Sequence, residues 1–351
     1  MASMICCVAR NVTFGCIAGE RKALLKFKAS LLDPSDILSS WNHNKDCCTW
    51  QGVNCNKVAG HVIGLNLSGS YKNPRVDGLM WATNLSSLEH LDMSGVNLSR
   101  TKHLVKVLNL LPSLVELRVS GSGLDNTHLP HACVDNSTLL TNVKYLDLSS
   151  NSFEGEFPCF LQNMTSLRFV DLSHNKSFRE HMNGSIHESL CGMKALIFLD
   201  LSKNHLSGNL PNCWGNFQFL RVARFSSNRF SGVIPNSIGG DYSLAWLHLN
   251  NNSLTGHLPS TLKNCTMIMV LDVGDNNLSC KLPEWVGKYL LGLAVLRLRN
   301  NEFYGVIPSM YCQLHRLQIM DLADNKLTRN IPHCFGNFSR MISKDEFLFN
   351  T

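Results

Sequence analysis

The sequence lacks any run of 18 consecutive apolar residues, so no segment of this chain is predicted to cross a bilayer as a helix. It is also poor in charge, with 17% Asp, Glu, Lys and Arg and a net charge of +6. The basic residues are scattered, whereas a nucleic-acid partner would require a clustered basic face. No G-x-S-x-G, H-E-x-x-H, P-loop or Gly-rich dinucleotide motif is present. These absences predict a protein that is not an enzyme and has no catalytic residue, cofactor or metal site.

Asparagine, in contrast, recurs at regular intervals along most of the chain. Each regular Asn follows an L-x-x-L-x-L-like run, as in Leu196-Ile-Phe-Leu199-Asp-Leu201 before Asn204. Most intervals are 24 or 25 residues, and one is 29 residues. The eight positions are Asn151, Asn175, Asn204, Asn228, Asn252, Asn276, Asn301 and Asn325. This period and pattern match the leucine-rich-repeat template and predict a solenoid.

Each residue type in the repeat has a physical role. The leucines of one unit cannot be buried alone and must stack on those of the next unit, while alternate strand residues face solvent. Leu65-Asn-Leu67, Leu91-Asp-Met93 and Leu117-Arg-Val119 extend the series backward, which gives eleven strands. Each regular Asn is predicted to bond backbone groups of its turn and of the adjacent coil. The predicted fold is therefore an α/β repeat: a leucine-rich-repeat solenoid with a concave parallel β-sheet.

The residues before the repeats predict a cap. From Cys16 to Lys28 apolar residues recur at helical spacing, with an acid in the first turn. A Ser40-Trp41 pair follows, and then the block Cys47-Cys48-Thr-Trp50-Gln-Gly52-Val-Asn-Cys55. A solenoid needs such a segment because its first coil would otherwise expose a leucine face.

At these residues the chain resembles the ectodomains of plant leucine-rich-repeat receptor-like proteins, which carry extracellular repeats and one membrane span but no kinase. The resemblance rests on E-R-K-A-L-L-x-F-K, S-S-W, C-C-x-W-x-G-V-x-C and the repeated L-x-G-x-[IL]-P. It implies the cap disulfides Cys16–Cys47 and Cys48–Cys55. It also implies a leader or unstructured segment at 1–15, an N-terminal cap with a helix at 16–60, repeats at 61–335, and the start of an island-like segment at 336–351. By this resemblance the chain lies at the extracellular face of the plasma membrane or in the apoplast.

Two further cysteine pairs follow from spacing alone. Cys191 and Cys213 lie 13 residues before and 9 after Asn204, and Cys312 and Cys334 have the same offsets from Asn325. With a 24-residue coil, the second cysteine of each pair lies almost above the first, within disulfide reach. Such bonds predict an oxidising compartment. Cys133 and Cys159 form a third pair if the insertion follows Cys133, and Cys265 is predicted to be a buried thiol.

Other polar motifs have structural interpretations. Several N-x-[ST] sequons arise from the repeat consensus, and Asn84, Asn163 and Asn337 are the predicted glycosylation sites because they lie on the back of the coil. Asn175 and Asn66 are poorer acceptors, since one fills the buried slot and the other lies on a strand. The cluster from His128 to Asp135 has zinc-type ligands but no recognised zinc spacing, and is predicted to be an exposed loop.

Function is then expected on the concave sheet, where most outward positions hold the repeat's own Asp and predict no contact. The exceptions combine an aromatic residue with arginines, the types enriched at binding hot spots. The predicted ligand-binding residues are Arg221, Arg224, Trp246, His248, Asp272, Arg297 and Arg299. A solvated face without a ligand is the alternative interpretation.

Two functions are compatible with this sequence. The first is an ectodomain that recognises an extracellular peptide, glycan or protein and, by the resemblance, signals through partner receptor kinases in plant immunity or development. The alternative is a secreted inhibitor of a microbial cell-wall-degrading enzyme, similar to the polygalacturonase inhibitors. Chain length favours the inhibitor, whereas the missing carboxy-terminal cysteine cap and the break after Pro332 favour the receptor.

Overall fold

The computed structural model describes residues 15–32, 36, 38–69, 74–101, 104–128, 140–155, 157–158, 160–161, 164–175, 182–240, 243–338 and 341. They form two compact units, 1–122 and 123–351, which are considered one at a time. The ends predicted as leader and tail fall mostly outside the described residues, as do Cys133, Cys159 and Asn163. Among the described residues, no helix combines the length and apolar character that crossing a membrane requires.

The first unit begins with helix α1 and continues into a small sheet. Its elements are α1 (Ala18–Ser30), β1 (Val53–Cys55), β2 (Val62–Asn66), β3 (His90–Asp92), α2 (Leu104–Leu108) and β4 (Glu116–Arg118), with single 3-10 turns at Cys47–Thr49 and Met80–Asn84. Strand β1 pairs antiparallel with β2, and β2, β3 and β4 are parallel. The parallel part is the predicted repeat pattern, and the β1–β2 pairing adds a strand that the repeat count does not include.

Helix α1 is amphipathic because Ala23, Leu24 and Phe27 share one buried face. The Phe27 ring packs on Trp81, with centroids 4.3 Å apart. A buried carboxylate also fixes the helix to β2: the Val62 amide donates to Glu20 Oε2 at 2.7 Å, and His61 Nδ1 lies 2.8 Å from Oε1. Both apolar packing and a satisfied buried charge therefore hold the cap.

The second unit repeats one short strand per turn of chain. Its strands are β5 (Tyr145–Asp147), β6 (Phe169–Asp171), β7 (Phe198–Asp200), β8 (Ser207–Asn209), β9 (Val222–Arg224), β10 (Arg229–Val233), β11 (Trp246–His248), β12 (Ser253–Gly256), β13 (Val270–Asp272), β14 (Asn277–Leu278), β15 (Val295–Arg297), β16 (Tyr304–Gly305), β17 (Ile319–Asp321) and β18 (Lys326–Leu327). The main sheet is parallel, in the order β5-β6-β7-β9-β11-β13-β15-β17. Together with β2, β3 and β4, these are the eleven predicted strands, and the predicted fold class is confirmed.

Two smaller parallel sheets, β8-β10-β12-β14 and β16-β18, follow the turns of the same repeats and are not predicted from the sequence. Helical structure between strands is short among the described residues of this unit. It consists of α3 (Glu284–Tyr289) and 3-10 turns at Asn126–His128, Glu188–Gly192, Trp214–Asn216, Asn236–Gly240, Ser260–Asn264, Ser309–Gln313 and His333–Asn337.

The core of this unit is made by the middle residue of each strand and by the leucines around it. Leu199, Leu247 and Leu271, for example, have no exposed surface. The residues on either side of each middle residue point the other way. We call the surface that they form in strands β5 to β17 the sheet face.

The regular asparagines form a ladder between neighbouring coils. Asn204 forms one rung: its Nδ2 donates to the carbonyls of Leu172 and Leu201, both at 2.9 Å, and its Oδ1 accepts from the Asn175 amide at 3.0 Å. Asn175 itself is fully buried in the next rung, as expected for a poor glycan acceptor. The ladder thus satisfies backbone groups that the repeat buries.

Disulfides join the cysteines that the resemblance and the spacing pair. The cap bonds Cys16–Cys47 and Cys48–Cys55 are confirmed, with Cα separations of 5.5 and 5.4 Å. In the second unit Cys191–Cys213 and Cys312–Cys334 are bonded, at 5.6 and 5.7 Å. Cys265 is a buried thiol whose Sγ donates to the Ile238 carbonyl at 3.5 Å.

The position of His128 differs from the predicted exposed loop. His128 lies in a 3-10 turn and is buried, with Nδ1 2.8 Å from Asp125 Oδ1, so it is not part of an exposed loop. The histidine closes its own turn, and His131, Cys133 and Asp135 lie outside the described residues.

Candidate binding face

Four of the seven predicted binding residues lie side by side on the sheet face. Strand register places Arg224 beside His248, His248 beside Asp272, and Asp272 beside Arg297. Adjacent strands are about 4.8 Å apart, so the four positions span roughly 14 Å. The row is long enough to contact about four residues of an extended peptide.

Trp246 lies two residues before His248 on the same strand, and therefore on the same face. Its indole contacts His248 edge-on, with ring centroids 6.4 Å apart, and packs against the apolar cluster that contains Val270. Half-buried aromatic rings of this kind are good contact surfaces, because they present apolar area while they lose little conformational freedom on binding.

Arg224 is held by both charge and stacking. Its Cζ lies 5.5 Å from the centroid of the Phe198 ring and 5.6 Å from that of Trp246. Its Nη1 is 3.4 Å from Asp200 Oδ2, and a third of the side chain is exposed. A guanidinium fixed in this way presents its remaining donors to solvent without first having to be ordered.

His248, which is half-buried, and Asp272, which is buried, occupy the middle of the row. Burial, with the positive charges of Arg224 and Arg297 beside it, lowers the pKa of His248 to about 4 despite the opposing field of Asp200. The imidazole is therefore neutral at ordinary pH, and its Nε2 is buried without a hydrogen-bond partner in the structure. Burial raises the pKa of Asp272, although the Gly274 amide and Arg297 oppose this shift.

The remaining arginines differ in their surroundings. Arg297 Nη1 is 3.6 Å from Asp272 Oδ2, and its side chain is about half exposed. Arg299 lies past the strand and donates to Asp324 Oδ2 from Nε at 3.1 Å and Nη2 at 2.9 Å, so part of its hydrogen-bonding capacity is used within the chain. Arg221 is exposed and precedes strand β9, outside the row. The structure thus groups Arg224, His248, Asp272 and Arg297 with Trp246, and places Arg221 and Arg299 at the margins.

The sequence-based prediction missed an aromatic row on the same face. Tyr145, Phe169 and Phe198 occupy matching register positions on β5, β6 and β7. Their rings stack, with centroids 6.0 Å apart for the first pair and 4.3 Å for the second. The signal was present in the sequence as three aromatic-x-Asp triplets, but the aspartates were interpreted as repeat consensus.

One group of potential metal ligands comes together among the described residues, in the cap of the first unit. It contains Cys16, Asp46, Cys47 and Cys48. All three sulfurs are in disulfides, and Asp46 Oδ1 accepts hydrogen bonds from the amides of Cys16 and Cys48 at 3.0 Å. The sulfurs and the Asp46 oxygen are thus already used in disulfides and hydrogen bonds, so this group does not suit a metal ion.

The predicted glycosylation sites remain predictions. Asn84 is exposed, and its Nδ2 donates to the Trp81 carbonyl at 3.2 Å. Asn337 ends the 3-10 turn that begins at His333, and Asn163 lies outside the described residues.

Comparison with protein families identifies both parts of the sequence. Residues 17–56 match the leucine rich repeat N-terminal domain. Residues 142–164, 195–217, 243–265 and 316–338 match the Leucine Rich Repeat. The matches agree with the α1 cap and with four of the repeats in the second unit.

Plant receptor-like proteins are among the known proteins similar to this chain. It is 40% identical over 203 residues to Receptor-like protein EIX1 of Solanum lycopersicum, a match covering 55% of this chain and 17% of that protein. It is 31% identical over 245 residues to Putative receptor-like protein 8 of Arabidopsis thaliana, covering 59% and 23%. The matched region thus spans less than a quarter of either relative.

Solved structures give the same likeness. A TDR receptor superposes with a TM-score of 0.67 at 26% identity, covering 77% of this chain and 44% of that one. The Arabidopsis receptor kinase HAESA ectodomain, solved in complex with an IDA peptide hormone ligand, has a TM-score of 0.58 at 26% identity, covering 92% and 44%. The chain therefore contains a leucine-rich-repeat N-terminal domain and leucine-rich repeats, and over about half of its length it is similar to plant receptor-like proteins.

Proposed function

We propose that this chain is the ligand-recognition part of a plant cell-surface receptor-like protein, and that an extracellular peptide binds across the sheet face of its second unit. The observation that carries the proposal is the fixed Arg224 guanidinium between Phe198 and Trp246, in register with His248, Asp272 and Arg297. A guanidinium that is ordered before binding and partly exposed is a recognition device for carboxylate or another anion.

The likeness to receptors supports a peptide rather than an enzyme as the partner. The HAESA ectodomain binds a peptide hormone, and this chain matches that ectodomain over 92% of its own length. In this proposal the signal, in immunity or development, passes to partner receptor kinases, and the disulfides serve an extracellular location. Asn84, Asn163 and Asn337 carry its glycans.

The role of the patch is tested by capture of secreted peptides. Wild-type chain and a Trp246→Ala/Arg297→Ala variant are immobilised, exposed to plant apoplastic fluid and analysed by mass spectrometry of the bound peptides. We expect a set of peptides with an acidic side chain or a free carboxylate on the wild type and its loss from the variant, because Trp246→Ala alone removes about 2 kcal/mol of contact at an anchor position.

A matched control removes the same kind of contact elsewhere. Lys288 Nζ lies 5.4 Å from the Tyr289 ring centroid on α3, away from the strands. The Lys288→Ala/Tyr289→Ala variant should capture the wild-type set. Identical capture by wild type and the sheet-face variant, with both proteins folded by circular dichroism, would exclude the patch.

A further inference from the structure

The aromatic row and the aspartates beside it form three equivalent pairs. Each of β5, β6 and β7 has the pattern aromatic-x-Asp, and strand register aligns Asp147 with Asp171 and Asp171 with Asp200. In all three, Oδ1 is used by the turn: it accepts from the amides of Ser149, Ser173 and Ser202 at 2.8 to 3.0 Å. The other carboxylate oxygen, Oδ2, therefore determines what each pair can bind.

At the third pair the chain supplies its own cation. Arg224 places Nη1 3.4 Å from Asp200 Oδ2 and its guanidinium over the Phe198 ring. At the first two pairs, no Lys or Arg of the described residues forms an ion pair with Asp147 or Asp171. An aromatic ring and a carboxylate thus occur together three times, and the chain's own Arg224 pairs with one of the three carboxylates.

We infer that the carboxylates of Asp147 and Asp171 bind a basic side chain of the peptide, arginine or lysine, as Asp200 binds Arg224, with the stacked rings of Tyr145 and Phe169 beside its aliphatic stem. The inference rests on the proposed function and specifies its ligand: a basic residue lies over β5 and β6, and an acidic group lies toward Arg224 and Arg297. It also revises the expectation that these aspartates make no contact.

The electrostatics of the face support this assignment. Burial and the neighbouring carboxylates of Asp200 and Asp147 raise the pKa of Asp171 to about 6. Holding these charges together without a cation destabilises the free protein, and a bound cation would relieve that cost. The stacked faces of Phe169 and Phe198 are turned toward each other, so the ligand's aliphatic stem would meet ring edges while the carboxylates hold its charge.

The experiment uses two synthetic probes: acetyl-Gly-Arg-Gly-Arg-Gly-amide and the same peptide with citrulline in place of arginine. Citrulline keeps the shape and removes the charge. Isothermal titration calorimetry of the full chain at pH 7 and low salt should show that the arginine probe binds at least about tenfold more tightly than the citrulline probe. The Asp147→Asn/Asp171→Asn variant should lose that preference, because asparagine keeps the Oδ1 acceptor of each turn and removes the charge.

Glu188→Gln/Glu284→Gln is the matched control, since it removes the same two negative charges from helical segments rather than from the strands. This control variant should retain the preference for the arginine probe. In a separate measurement, lowering the pH to 5 should weaken binding of the arginine probe to the wild type, because Asp171 takes up a proton. Equal binding of both probes, or an unchanged preference in the Asp147→Asn/Asp171→Asn variant, would overturn the inference.

The outcome separates this inference from the function on which it rests. If apoplastic peptides are captured through Trp246 and Arg297 while the arginine probe shows no preference, the binding face stands and the basic subsite is wrong. If the arginine probe binds as expected while no peptide capture depends on Trp246 and Arg297, the proposed location of the ligand's acidic group is wrong instead.

Discussion

The guanidinium of Arg224 lies against the indole of Trp246, with its Cζ 5.6 Å from the ring centroid, while Nη1 reaches Asp200. Asp200 is only 5% exposed, so Arg224 is the cation that neutralises a buried carboxylate. Arg224→Met keeps the length of the stem and removes the charge. It should lower the free energy of unfolding by about 1–3 kcal/mol, because it leaves that carboxylate unpaired and removes two cation–π contacts.

Urea denaturation followed by tryptophan fluorescence measures this change. Arg221→Met is the control, since Arg221 is exposed at the edge of the same strand, and it should change stability by less than about 0.5 kcal/mol. Equal effects of the two substitutions would show that the stacked arginine has no special structural role.

Asp171 gives a prediction about pH. Its pKa is raised to about 6, so the folded state binds a proton more tightly than the unfolded state does. Stability from this group is therefore present at low pH and is lost as the pH rises through about 4 to 6. Asp171→Asn should stabilise the protein at pH 7 by about 1–2 kcal/mol and have little effect at pH 4, as thermal denaturation at both pH values would show. Destabilisation at pH 7 would contradict the prediction.

His248 should behave in the opposite sense. Its pKa is lowered to about 4, so the unfolded chain binds the proton more tightly. This group's contribution is fully present above about pH 6.5 and is lost as the pH falls toward 4. In NMR titration its imidazole should stay neutral at pH 5.5, well below the ordinary range of histidine. A His248 titration midpoint near 6.5 would show that the ring is not buried among cations in solution.

The repeat architecture was predictable because its cause is local and repeated. One period contains both the inward leucines and the Asn that bonds the turn, so Leu199 and Asn204 are sufficient to place a strand and its end. The cysteine pairs were predictable for the same reason, since a 22-residue separation is nearly one coil.

The residues of the sheet face were predicted less completely. Register between strands places Tyr145, Phe169 and Phe198 in one stack, but they are 24 and 29 residues apart in sequence and lie in triplets that also fit the consensus. The ion pair of Arg299 with Asp324 depends on side-chain reach beyond the strand, which the repeat pattern does not specify. Likewise, the residue before each regular Asn has a positive φ, but only some of these residues signal it: Asn251 and Asp275 are of types that favour this conformation, whereas Lys203, at 57°, is not.

Removal of a disulfide between neighbouring coils should destabilise the second unit. A Cys191→Ala/Cys213→Ala variant should be less stable by about 3 kcal/mol, the loop-entropy value for a closed span of 22 residues. Comparison of urea midpoints between oxidised wild type and variant tests this. Addition of a reductant to wild type should reproduce the loss in part, and an unchanged midpoint in the variant would mean that coil stacking alone stabilises this region.

The Asn ladder provides the strictest test of the repeat's physical basis. Asn204 is 3% exposed and bonds two carbonyls and one amide from two coils, so Asn204→Leu removes these bonds and leaves buried backbone groups unpaired. The cost should be about 3–5 kcal/mol, since each unsatisfied buried group costs about 1–3 kcal/mol. Asn209→Leu is the matched control, because Asn209 is exposed on β8 of the same repeat and does not have a positive φ. If the two substitutions had similar unfolding midpoints, leucine packing rather than the polar ladder would be what holds neighbouring coils together.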